Sequence, residues 1–215
     1  MGYIRPAGLS LLLLCLYAAP LPAVEQHAMK QDNQHVRRWN AFADKLLKLH
    51  ERLISQQIYV IKTRMGGYAH MPDFYKEYKY INKKTGKLIS QLQWEKAYPD
   101  NLHTIEVFIY DEHGRVIRDY SAAYLPQYRN APTQTLINLH AYNGLLHAFR
   151  SFDATGDHLL DRCTGRYNAK EINIMLDEDE LYEGQFARDG VMQSDTYFEC
   201  FKGLPKTAGK YLQPQ

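Results

Sequence analysis

Apolar and polar positions change period along this chain, and the change predicts its elements. Trp39, Phe42, Leu46, Leu49 and Leu53 recur at steps of three and four, with Leu47 and Ile54 widening the stripe. Arg37, Arg38, Lys45, Lys48, Glu51 and Arg52 fall mostly off it. That spacing predicts one amphipathic helix of about 20 residues, with Asp32 or Asn33 placed to cap it. The stripe reads as core rather than as a partner surface, because a helix with one apolar face must bury it. His50 lies beside the stripe and reads as a packed or edge histidine.

After Gln57 the period falls to two. Ile58, Tyr59, Val60 and Ile61 form a β-rich run, which Met65-Gly66-Gly67-Tyr68 is expected to break. Residues 74–80 resume it, residues 82–86 turn, and residues 88–94 return. A second hairpin runs out over 104–110, turns at 111–114 and returns over 115–120. A third centres on Asn143-Gly144, a pair that accepts positive φ at both positions, flanked by 136–142 and 145–152. The same pair argues against a helix over 133–150. A fourth turns at 154–156 into 158–163, and residues 172–176 with Leu181-Tyr182 suggest a fifth. The turns echo one another. Residues 110–119 and 152–161 each hold an aromatic, an Asp, a Gly three residues later, an apolar pair and a second Asp, with 82–89 a looser copy. The Asp caps the turn and the Gly takes the positive φ, so the echo is one of turn chemistry.

Strands that pair with their sequence neighbours make a meander. The predicted fold is therefore α+β: an N-terminal amphipathic helix packed on a curved antiparallel β-meander. It occupies one domain over 36–201, with a flexible polar segment over 24–35 before it and an irregular tail over 202–215.

The start of the chain changes the compartment. Arg5 precedes an apolar run over 9–19, and Leu21-Pro22-Ala23 offers a small-residue cut, the order of a secretory signal peptide. The run is too short for a membrane-spanning helix of roughly 20 residues. The chain is thus expected to be secreted across the inner membrane into the periplasm, soluble and starting near Val24. Cys15 falls in the signal, and as a lipid-anchor cysteine it lacks the small residue before it. Cys163 and Cys200 remain, an even pair for an oxidising compartment, and a disulfide between them is expected.

Charge is segregated. Residues 24–150 hold 18 Lys/Arg and 12 Asp/Glu, and residues 151–200 hold 4 and 12. The two parts partly neutralise each other if folded together, and no dominant basic footprint points to nucleic acid.

Nine histidines invite acid–base or metal chemistry. With Asn143-Gly144 as the loop, His140 pairs with His147, Cβ atoms about 5 Å apart. Two imidazoles at that distance suit zinc or copper, with Asp153, Asp157 or His158 as a third ligand; a solvent-facing polar pair is the plainer reading. The acidic run 177–180 lacks an EF-hand's spacing and Gly, and reads as a solvated turn. There is no Gly-x-Ser-x-Gly elbow, Walker loop or dinucleotide Gly pattern, and no cofactor is implied. The 17 tyrosines suit half-buried strands and contact surfaces. The expected function is a binding or interaction module of the envelope, its partner an envelope protein or polymer, its ligand face Tyr124, Tyr128, His140, Tyr142 and His147. Two alternatives stand beside it: a secreted hydrolase with a His/Asp site, and a metal-handling protein using His140 and His147.

Overall fold

The computed structural model describes residues 34–124 and 132–215. The signal segment, the cut near Val24, Cys15 and Tyr128 lie outside the described residues. Helix α1 spans Gln34–Ser55. Nine strands follow: β1 (Tyr59–Tyr68), β2 (Met71–Asn82), β3 (Leu88–Glu95), β4 (Leu102–Tyr110), β5 (Val116–Tyr124), β6 (Pro132–Asn143), β7 (Leu146–Phe152), β8 (His158–Tyr167) and β9 (Lys170–Asp177). They form one antiparallel sheet in sequence order, unclosed, with β1 and β9 at its edges. Helices α2 (Glu178–Gly184) and α3 (Asp195–Phe201) complete a mixed α+β fold. No helix among the described residues is long and apolar enough to cross a membrane.

Alternation along the strands separates two faces. Leu92, Ile105, Val107, Tyr120, Ala122, Ile137, Leu139 and Phe152 share a buried cluster with Phe42, Ala43, Leu46 and Leu49 of α1. Leu204, Tyr211 and Leu212 pack on it from the C-terminal segment, which holds a 3-10 turn at Gly209–Leu212. A second cluster joins Leu146, Ala148, Cys163 and Leu176 to Leu181 of α2 and Tyr197, Cys200 and Phe201 of α3. Both clusters draw on the same sheet face. His50 is buried in α1, its Nδ1 2.7 Å from Ser90 Oγ and its ring 4.6 Å from that of Tyr80. Burial lowers its pKa to about 4.

Cys163 and Cys200 are bonded, with Sγ atoms 2.06 Å apart, fixing α3 to β8. Beside them Arg150 holds Asp161 with two bonds of 2.8 Å, Tyr197 Oη donates to Asp161 at 2.5 Å, and His158 Nε2 lies 2.8 Å from the same carboxylate. Burial alone would raise the Asp161 pKa, but these bonds outweigh it and hold the carboxyl low.

Four local readings are corrected. The segment at Met65–Tyr68 does not end the strand: β1 runs through it with a bulge between Gly66 and Tyr68. A Cβ at Gly67 would sit 1.9 Å from Met71 O, so the glycine lets the returning chain pass. Leu181-Tyr182 is helical. Asp177 accepts from Glu180 N while Glu180 Oε2 accepts from Asp177 N, a capping box that makes the acidic run the start of α2, where acids are favourable. The fifth hairpin turns at Asn168-Ala169, both at positive φ (49° and 62°). Finally, Asn143 stays in β6 opposite Leu146, and Gly144-Leu145 form the loop with Gly144 at φ 62°. The Asn143 amide donates to the carbonyls of Glu199, Cys200 and Lys202 at the end of α3, which retains it in the strand.

Candidate functional site

That turn sets the register of the histidines. His140 lies opposite Phe149 and Tyr142 opposite His147, so the two histidines are diagonal neighbours rather than direct partners. All four side chains point to the sheet face that contributes to neither buried cluster. They still meet: His140 Nδ1 and His147 Nε2 are 3.0 Å apart. His140 Nε2 lies 2.6 Å from Asp119 Oδ1, on the neighbouring strand β5. A carboxylate accepts, so His140 donates from Nε2, and one proton is shared between His140 Nδ1 and His147 Nε2. Asn138 Nδ2 donates to Asp119 Oδ2 at 2.7 Å, and Ser151 Oγ donates to Asn138 Oδ1 at 2.6 Å. Four strand-borne side chains thus hold His140 in place.

Planar groups stack across the same strands. The rings of Tyr142 and His147 are 4.6 Å apart and within 3° of parallel, and those of His147 and His140 are 5.3 Å apart. The Arg115 guanidinium caps the row 4.7 Å over Tyr142. Tyr142 Oη donates to Val116 O at 3.0 Å. The faces of these rings are spent on one another. Burial first, then the nearby His140 and Arg162, keeps the His147 imidazole below its ordinary pKa and so neutral at pH 7.

Sequence reasoning missed Asp119, Glu106 and Glu77 on this face. Glu106 lies opposite Ser121, diagonal to Asp119; burial, then the charges of Asp119 and Glu77, pushes its carboxyl up. Glu77, 1% exposed, accepts from Arg64 at 2.5 and 3.0 Å and from Gln93 at 3.0 Å. Polar residues at the face-pointing parity of β2, β4 and β5 were the available signal.

The structure groups His140, Tyr142 and His147 but not Tyr124. Tyr124 is in the cluster with Phe42 and Leu46 on the opposite face, and burial, then Asp44, pushes its pKa up to about 12. Asp153, Asp157 and His158, offered as third ligands, sit elsewhere: Asp153 Oδ1 caps its turn through three backbone N–H groups, Asp157 Oδ2 accepts from Thr155 Oγ1 in the same turn, and His158 binds Asp161. Among the described residues no group of three or more His, Cys, Asp or Glu is arranged to hold a metal ion. Both nitrogens of His140 are engaged. Compared with family models, with curated proteins and with solved structures, the chain matches none.

Proposed function

We propose that the chain is an exported envelope binding module that lays an extended polar polymer on the second face of its sheet. The observation that carries the reading is the Asp119–His140–His147–Tyr142 array, held in place on a face that gives nothing to the core. In this reading α1 lies along the first face as a permanent cover, and the meander is curved with the second face inward. The low exposure of Glu77 and Ser151 (1% and 3%) on a face that carries no helix among the described residues supports that curvature. The edges of stacked Tyr142 and His147, with Asp119 and Asn138 behind, offer donors and acceptors to hydroxyl and amide groups. Export is supported by Arg5, the apolar run 9–19 and the bonded Cys163–Cys200 pair; N-terminal sequencing of the accumulated protein should begin near Val24.

Co-sedimentation with purified peptidoglycan sacculi tests the binding. Tyr142→Ala and His147→Ala should each weaken it about tenfold, the loss of one well-packed contact. Phe198→Ala, exposed on α3, should leave it unchanged. Equal retention of all three variants, or none of the wild type, defeats the reading.

A second reading rests on the same line of Asp119, His140 and His147. An imidazole oriented by a carboxylate-bound neighbour is a general base, so a hydrolase would use His147 to take a proton from water. Release of soluble fragments from the sacculi, absent in His147→Ala, would support it. Metal handling at the pair requires His140 to give up one of its two bonds; trace-metal content that is the same with and without His140→Ala counts against it.

A further inference from the structure

The two edges of the sheet are unlike. Among the described residues β1 pairs only with β2, and β9 only with β8. The start of β1 is apolar on both faces: Ile58 beside it is 75% exposed, Val60 40% and Ile61 46%. It contains no Pro, and its one irregularity lies at its far end, between Gly66 and Tyr68. A strand of this kind, with unpaired N–H and C=O groups, is a template for another strand. Its charge is positive, six Lys/Arg against two acids over residues 58–84. The other edge is negative, with six acids and one Lys over residues 170–184, and Met175 on β9 is 63% exposed. Following the register across the sheet puts Lys62 and Arg64 on the same face as Glu171, Met175 and Asp177. Tyr59 and Ile61 share the other face with Ile172 and Ile174.

We propose that copies of this chain associate head to tail, the β1 edge of one adding to the β9 edge of the next. Like edges repel. β1 against β1 brings the Lys62 of both copies together, beside Arg64 and, on β2, Lys79, whose charges Glu77 only partly offsets; β9 against β9 gathers Glu171 and Asp177, whereas β1 against β9 sets basic beside acidic and apolar beside apolar. Nine strands is an odd number, so β1 and β9 run in the same direction. A copy added with like faces aligned therefore pairs in parallel. Such an interface does not close on two copies; it makes rings or filaments. The inference rests on the edges alone and stands apart from the binding reading, although it would set the polar faces of neighbouring copies side by side.

Sedimentation velocity of the purified full chain tests it. The wild type should grow beyond dimers as concentration rises, and the larger species should shrink as salt is added. Val60→Lys blocks one edge and Met175→Lys the other, both at exposed side chains, and circular dichroism checks that each folds. Lys62→Glu replaces Val60→Lys if that variant does not. Each variant alone should be monomeric, and an equimolar mixture should stop at dimers, since each copy keeps one good edge. Three results overturn the proposal: a wild type monomeric at every concentration, association that survives both single substitutions, and loss with the β1 variant only, which marks β1–β1 pairing.

Discussion

His50 gives the sharpest test of how α1 is seated. The side chain is 4% exposed, bound to Ser90 and against Tyr80, and burial lowers its pKa from 6.5 to about 4. In the unfolded chain the imidazole takes up a proton as pH falls through 6.5; in the folded chain it resists until about 4. The unfolded state therefore binds more protons between these values, and stability rises with pH across that window. At about 1.4 kcal/mol per pKa unit, stability should fall by about 3 kcal/mol from pH 7.5 to pH 4, and the loss due to His50 levels off about one pH unit lower. His50→Gln lacks the titrating group. Urea unfolding of wild type and variant at several pH values isolates the effect, because other groups cancel in the difference. The difference should fall by about 3 kcal/mol on acidification. A pH-independent difference, or a His50 ring that titrates near 6.5 by NMR, would refute the buried placement and with it the seating of α1.

Asp161→Asn should cost about 3–5 kcal/mol at pH 7 by urea unfolding, because it leaves buried Arg150 without its partner carboxylate. The native Asp161 pKa lies below its unfolded value of 3.8, so the stability it contributes is full above pH 3.8 and lost as pH falls through the native pKa; the variant should lack this acid-side loss. Ala169→Gly should stabilise by about 1 kcal/mol, read as a higher urea midpoint at unchanged slope, since Ala169 sits at φ 62°. Reducing Cys163–Cys200 should cost about 3–4 kcal/mol, measured by thermal unfolding with and without reductant; an unchanged midpoint would mean the bond constrains little.

The meander was legible where its turns carry their own chemistry. Asn82, Asp111 and Asp153 accept backbone N–H bonds in three separate turns. Helices α2 and α3 were not, since seven residues give two turns at most and no stable apolar period. The Asn143 amide was misread for a tertiary reason: the carbonyls that hold it belong to α3, far along the chain. At the candidate site, proximity of His140 and His147 followed from their hairpin, but Asp119 reaches them from β5 across a register that only the sheet supplies. Arg150 and Asp161 did leave a trace. Each is a charge at the core-facing parity of its strand, between Ala148 and Phe152 in one case and two residues before Cys163 in the other. Such a charge needs a buried partner.

In the proposed function the second sheet face is the contact surface. Hydroxyl-radical footprinting of the chain bound to peptidoglycan sacculi tests it directly. Protection should fall on Tyr142 and His147, while Tyr182 and Phe198, exposed on α2 and α3, react as in the free chain. Protection of Tyr182 and Phe198 with Tyr142 and His147 unchanged would contradict it.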